Sequence, residues 1–175
     1  MLSLWDYAVA SYGAPGVADT LLKLQDRHRV GVQLVLWALW CGRYGFSFPD
    51  QDIHELIGET DVFARHTTER LRSVRRYLKT PKAGFAPDDL QRLREDVLRI
   101  ELKSEELVMR RLDDLTRQAG EPNETLGDFA VRSERLFTLA RERMDIPSMI
   151  ADESSGSSPL GLFRKAQALV EEHGP

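Results

Sequence analysis

The stretch Val32-Gln33-Leu34-Val35-Leu36-Trp37-Ala38-Leu39-Trp40-Cys41 decides the fold. From Leu34 to Cys41 every residue is apolar, and Gly31 and Gly42 bracket the run. A membrane-spanning helix needs about 20 apolar residues, so the run is too short to cross a bilayer. It reads as a helix apolar on all sides, which belongs inside a protein core. Trp37 and Trp40 are expected to be mostly buried, with amphipathic helices packed around them.

Toward the N-terminus, Ser3 with Asp6 three residues on resembles a capping box, followed by Leu4, Tyr7, Ala8 and Tyr12 at helical spacing. Gly13-Ala14-Pro15-Gly16 breaks that helix, and Val17, Leu21 and Leu24 mark one face of a second that ends near Asp26. Beyond the central run, Gly42 to Pro49 is a loop packed by Phe46 and Phe48. A short helix is expected over Asp50 to Ile57, ended by Gly58. Another is expected from Thr60 or Asp61 to Lys79, with Phe63, Thr67, Leu71, Val74 and Leu78 as its inward stripe.

Thr80-Pro81-Lys82-Ala83-Gly84 is a turn, and Pro87-Asp88-Asp89 opens the longest helix, with proline in the first turn and acids at the positive end of the dipole. It runs to Gly120 and spans roughly 50 Å. Leu90, Leu93, Val97 and Ile100 follow a heptad, Ser104 interrupts it, and Leu107, Val108, Leu112 and Leu115 resume it. Asp88–Arg92, Glu95–Arg99, Glu106–Arg110 and Asp113–Arg117 are acid-before-base pairs four apart, as on a solvated helix face. Thr125 to Met144 reads as a further amphipathic helix with Leu126, Phe129, Leu136, Phe137 and Ala140 inward.

The reading is one all-α domain over residues 1–145, an irregular bundle of six or seven helices around a buried central helix. A serine- and glycine-rich linker over 146–159 and a short amphipathic segment over 160–175 follow, the segment either docked on the body or awaiting a partner. The chain has 175 residues, 30% of them charged, and a net charge of −4. That balance draws the molecule as a whole neither to nucleic acid nor to anionic membranes. The N-terminus, with no basic segment and an acid at Asp6, does not read as a secretory signal, and the lone Cys41 fits a reducing compartment. A cytoplasmic location is the expectation, with no membrane association.

Catalytic and cofactor signatures are sparse. No nucleophile elbow and no phosphate-binding glycine loop occur, and Cys41 ends an apolar helix, where a thiol is inert. Asp50, Asp52, His54 and Glu55 crowd one short segment but lack the glycine turn and spacing of a calcium loop; N-terminal helix acids and a surface histidine explain them. No metal site and no cofactor are expected. Glu101 and Glu105, four apart on the long helix, form either a small acid site or ion pairs with arginines of the preceding helix, the second being the commoner arrangement in helical proteins.

Two features carry the remaining interest. From Arg65 to Lys82 there are seven basic residues against one acid, Glu69, and Arg72, Arg75, Arg76 and Lys79 share one helix face. Such a face holds phosphates or an acidic protein, unless the acidic long helix of the same chain covers it. The other is Gln25-Asp26 just before the buried helix, with Gln33 at its start; polar groups at the mouth of an apolar helix are either mutually hydrogen-bonded or functional.

Leu4-Trp5-Asp6-Tyr7-Ala8, Pro15-Gly16-Val17, Leu24-Gln25-Asp26, Val32 to Leu36 with Leu39-Trp40, Leu71-Arg72, Arg75-Arg76, Leu78-Lys79, Glu101-Leu102 and Glu105 together resemble a family of small, mainly proteobacterial helical proteins known only as a conserved domain of unknown function. The resemblance spans roughly residues 4 to 115 and is most specific from Asp26 to Trp40. Gln33 stands where that pattern has asparagine, and Phe63 where it has tryptophan. The resemblance implies a bacterial helical protein and transfers no activity or site residue.

The leading functional expectation is a non-enzymatic protein-interaction or regulatory module acting on an unknown protein partner, with the helix over 87–120 also available as a homodimer seam. The alternatives are a small-molecule binder or enzyme with a pocket near Gln25, Asp26 and Glu101, and nucleic-acid binding through Arg72, Arg75, Arg76 and Lys79.

Overall fold

The computed structural model describes residues 1–122, 128–143 and 156–175, apart from the side chains of Asp50 and Arg143. Among them run α1 (Leu4–Gly13), α2 (Val17–His28), α3 (Val32–Tyr44), α4 (Asp50–His66), α5 (Thr68–Tyr77), α6 (Pro87–Ala119), α7 (Phe129–Arg143) and α8 (Pro159–His173), with no strand. The fold is the expected all-α irregular bundle. Its helix count reaches seven when α4 and α5, which abut at Thr67, are taken as one bent element.

Local chemistry sets the ends. Ser3 Oγ accepts the Asp6 N–H at 3.1 Å and caps α1. Gly16 enters α2 at φ 77° and Gly45 closes α3 at φ 74°, left-handed conformations that glycine adopts without strain. Pro87 sits in the first turn of α6 with Asp88 and Asp89, as the sequence predicts.

The break between α4 and α5 differs from expectation. Gly58 does not end a short helix; α4 continues through it to His66. The chain bends at Thr67, whose φ of −119° and ψ of −75° leave helical geometry; its N–H and its hydroxyl both donate to the Phe63 carbonyl, at 3.0 and 2.6 Å. The bend also turns the predicted inward stripe. Leu78 is buried and Leu71 half-buried, but Phe63 and Val74 face solvent.

The core is organised around α3, where residues 34–42 are all buried and Trp37 and Trp40 are fully so. Each indole N–H has an acceptor: Trp37 donates to Thr116 Oγ1 at 2.9 Å and Trp40 to the Leu2 carbonyl at 3.1 Å. Asp113 of α6, also buried, accepts the Leu4 N–H at 2.8 Å and ties α1 to α6. The expected loop packing is present, with Phe46 and Phe48 buried and stacked toward the two tryptophans.

α7 crosses α3 closely. A Cβ at Gly42 would lie 2.7 Å from Ser133 Cβ and 3.1 Å from the Phe129 carbonyl oxygen, and Arg132 donates to the Gly42 carbonyl at 2.7 Å. α8 packs on α2 and α7, and its Leu162, Phe163, Ala166 and Val170 join the central core. The linker expected over 146–159 lies outside the described residues up to 155, as does the predicted helix start at Thr125.

α5 and α6 pair through a second, smaller core of Leu78, Leu90 and Val97 with Leu71. Along α6, Glu106–Arg110 and Asp113–Arg117 pair four apart as predicted, though Asp113 is buried rather than on a solvated face. Arg92 and Arg99 turn instead to Asp89 and Asp96, three residues away.

Gly42→Ala is expected to destabilise the protein by about 1–3 kcal/mol, because neither α7 backbone nor Ser133 Cβ can yield cheaply. Thermal unfolding should show a fall of about 2–4 °C for each of those kcal/mol; an unchanged midpoint would refute the close α3–α7 crossing.

Candidate functional site

Two helices, α5 and α6, form one wall of a cleft whose other walls are α1, α2 and α3. Its volume is about 340 Å³, in the range of small-ligand sites. α1 contributes Trp5, Ala8, Val9 and Tyr12; α2 contributes Leu22 and Gln25; α3 contributes Val32, Gln33 and Leu36. The opposite wall carries Arg72 and Arg75 from α5, and Leu98, Glu101, Leu102, Glu105 and Met109 from α6. The apolar lining is continuous with the rim, where Val9, Leu22, Leu98 and Leu102 are exposed.

The charged wall is built on Glu101, a carboxylate buried to 3% exposure. Glu101 Oε2 accepts from Arg75 Nε at 2.6 Å, and Oε1 accepts from Arg75 Nη2 and Arg72 Nε, both at 3.1 Å. Arg72 Nη2 donates onward to Glu105 Oε1 at 2.5 Å. Beneath them Thr68 and Ser104 share a buried hydroxyl bond at 2.9 Å. The antiparallel course of α5 and α6 puts these groups in register, as the sequence suggested for Glu101, Glu105 and the arginines.

Burial and charge act on the two glutamates in opposite balance. Burial opposes the charge of Glu101, but the hydrogen bonds from Arg75 and Arg72 outweigh it and hold the carboxyl below its ordinary range. Burial dominates at Glu105, reinforced by the Glu101 charge, and pushes its carboxyl up despite Arg72. Tyr12 faces the same cluster; burial and then the Glu105 charge raise its phenol.

The donor count leaves a remainder. Arg72 and Arg75 each spend Nε and Nη2 on carboxylates, and neither Nη1 has a hydrogen bond within the described protein. Gln25 and Gln33, both half-buried on the cleft, likewise have no side-chain hydrogen bond to the described protein. Four residues with N–H donors that have no protein acceptor therefore line the same cleft.

The chain matches a family described as protein of unknown function (DUF2390), over residues 3–112. It belongs to that family. The matched span contains every residue of the cleft. No curated protein and no solved structure matches the chain.

Of the residues singled out from sequence, Gln25, Arg72, Arg75, Glu101 and Glu105 meet in the cleft. Asp26 does not line it; it is exposed and accepts from Arg76 Nη2 at 3.0 Å outside. Lys79 is exposed and also lies off the cleft. The apolar half of the site, above all Trp5, Val9, Leu98 and Leu102, was not singled out. Leu98 and Leu102, four apart on a flank that the heptad does not use, are the signal that could have revealed it. Among the described residues no three histidine, cysteine, aspartate or glutamate side chains cluster to hold a metal ion. Cys41 is wholly buried and its thiol pushed up by that burial. None of the described helices is long and apolar enough to cross a membrane.

Glu101→Gln is expected to cost about 3 kcal/mol at neutral pH, because two half-buried guanidiniums lose their shared counter-ion. A lowered carboxyl contributes stability above its unfolded value, so the deficit should shrink as pH falls through the folded-state value. Glu105→Gln should be nearly neutral. Its raised carboxyl contributes stability below its unfolded value and loses it as pH rises through the folded value, so the variant gains relative to wild type across that window. Denaturant titrations across pH check both; equal losses at both positions would contradict the assigned asymmetry.

Proposed function

We propose that this protein is a binding module whose cleft between α1, α2, α3 and the α5–α6 pair takes a small amphipathic molecule with an anionic head. The observation that carries the reading is the set of unspent donors, Arg72 Nη1, Arg75 Nη1 and the amides of Gln25 and Gln33, on the lining of a cleft whose other wall is mainly apolar. An anionic oxygen pair fits the two Nη1 groups, since charge-assisted hydrogen bonds are the strong ones. A cationic head would meet two guanidiniums at the wall, beside two carboxylates that already accept from them. The apolar body would lie along Trp5, Leu36, Leu98 and Leu102.

The site has features of binding and few of turnover. Both wall carboxylates accept from arginines, and the nearest hydroxyl on the lining is a phenol, Tyr12, with a raised pKa. Binding without chemistry, with the bound state read out by another molecule, accords with the regulatory role that the sequence favours, in a cytoplasmic bacterial setting.

A protein partner seated on the same cleft is the second reading, favoured by its exposed apolar rim of Val9, Leu22, Leu98 and Leu102. The nucleic-acid reading loses half of its cations: Arg72 and Arg75 are held by the half-buried cluster with Glu101 and Glu105. Arg76, exposed and weakly paired with Asp26, and Lys79 are left, which is too little for phosphate-backbone binding.

Calorimetric titration with octanoate, octanol and octylammonium tests the proposal. Octanoate is expected to bind more tightly than octanol by about tenfold or more, the worth of a charge-assisted hydrogen bond. Octylammonium should not bind, and Leu102→Trp, which fills the rim, should abolish octanoate binding. Equal binding of the three, or none, would overturn the small-molecule reading and leave the protein partner.

A further inference from the structure

The flank of α6 opposite the cleft carries a row of large apolar side chains that its own core does not use. Leu93, Ile100 and Leu107 recur every seven residues and are 50%, 54% and 58% exposed. A seven-residue repeat drifts by only about 20° per step on a straight helix, so the three form one stripe. The residues that face α5 and α4 are different ones: Leu90, Val97, Glu101, Ser104 and Val108, all buried. Val74 of α5, 47% exposed, widens the stripe on its inner side.

A second row runs beside the first, also at seven-residue spacing: Asp89, Asp96, Lys103, Arg110. It reads acid, acid, base, base along the helix. When two copies of a helix pair antiparallel, the same flank of each meets on the same side. Centred on Ile100, such a pairing sets Leu93 opposite Leu107 of the other copy and Ile100 opposite itself. It also sets Asp96 against Lys103 and Asp89 against Arg110, twice each by symmetry. A parallel pairing carries the charged row of each copy away from that of its mate and loses all four matches. Asp89, Asp96 and Arg110 have neighbours within the chain, in Arg92, Arg99 and Glu106, but these are pairs one helical turn apart, exposed on both sides except at the half-buried Glu106. Pairs of that kind are weak and readily exchanged.

We infer that the protein forms a two-fold homodimer in which α6 packs antiparallel on α6 of a second copy through Leu93, Ile100 and Leu107, with the Asp89–Asp96–Lys103–Arg110 row setting the direction. An isologous interface of this type needs a self-complementary patch, and the two rows are self-complementary about the same point. The interface lies on the other flank of the α5–α6 pair from the cleft, so ligand binding and dimerisation are separable.

Sedimentation equilibrium on the full chain, from low micromolar to near-millimolar concentration, reads the result. Wild type is expected to dimerise, more weakly in high salt. Ile100→Glu should be monomeric with an unchanged circular dichroism spectrum and unfolding midpoint. Asp96→Lys should raise the dimer dissociation constant about tenfold, since symmetry turns two attractions into two repulsions. Asp96→Lys combined with Lys103→Asp should restore it, which a merely hydrophobic contact would not do. A monomer at all concentrations overturns the inference, and so does a dimer that survives Ile100→Glu or a double variant no better than Asp96→Lys.

Discussion

The arrangement hangs on one buried carboxylate. Glu101 sits at 3% exposure and is kept ionised by two guanidiniums from the neighbouring helix. A charge so placed is costly without partners and tolerable with them. The pairing therefore clamps α5 to α6 at one register and no other. Once that register is fixed, Arg72 and Arg75 lie on the lining of the cleft, which acquires its polar wall. The apolar side of the clamp, Leu78 with Leu90 and Val97, is too small to set direction alone.

α3 supplies the other half of the frame. The burial of its residues 34–42 fixes α1, α2, α6 and α7 around it, and the indole bonds of Trp37 and Trp40 fix where α6 and the N-terminal residues lie. α6 belongs to both halves. Its C-terminal part, through Val108, Leu112, Asp113 and Thr116, is built into the central core, while its N-terminal part pairs with α5. The cleft forms where α6 passes from one to the other, and Met109 and Glu105 mark that passage.

Much of this was legible in the sequence. The eight apolar residues from Leu34 to Cys41 announced a central helix, and Pro87 with Asp88 and Asp89 announced the start of α6. The meeting of Glu101 and Glu105 with arginines of α5 followed from two antiparallel neighbours of opposite charge. What was not legible has physical causes. Gly58 looked like a terminator, but a glycine inside a well-packed helix costs only about 1 kcal/mol, which burial of Ile53, Leu56 and Ile57 offsets. The helix is interrupted at Thr67 by a single residue whose backbone leaves helical geometry, at φ −119° and ψ −75°, which leaves no periodic trace. α6 carries apolar residues on three flanks, at Val97, at Leu98 and Leu102, and at Leu93, Ile100 and Leu107. No single periodicity could assign each flank to core, cleft or outer surface. The cleft itself joins residues of five helices, from Trp5 to Met109, and exists only in the tertiary arrangement.

The central claim is that the spare donors of the cleft wall receive an anion. Nuclear magnetic resonance of the side-chain N–H groups, with octanoate added stepwise, tests it at the atoms concerned. The account predicts progressive shifts of the Arg72 and Arg75 guanidinium signals and of the Gln25 and Gln33 amides, while Arg76, exposed and paired with Asp26 outside the cleft, stays still. Shifts that spare Arg72 and Arg75, or that spread over the exposed arginines alike, would contradict it.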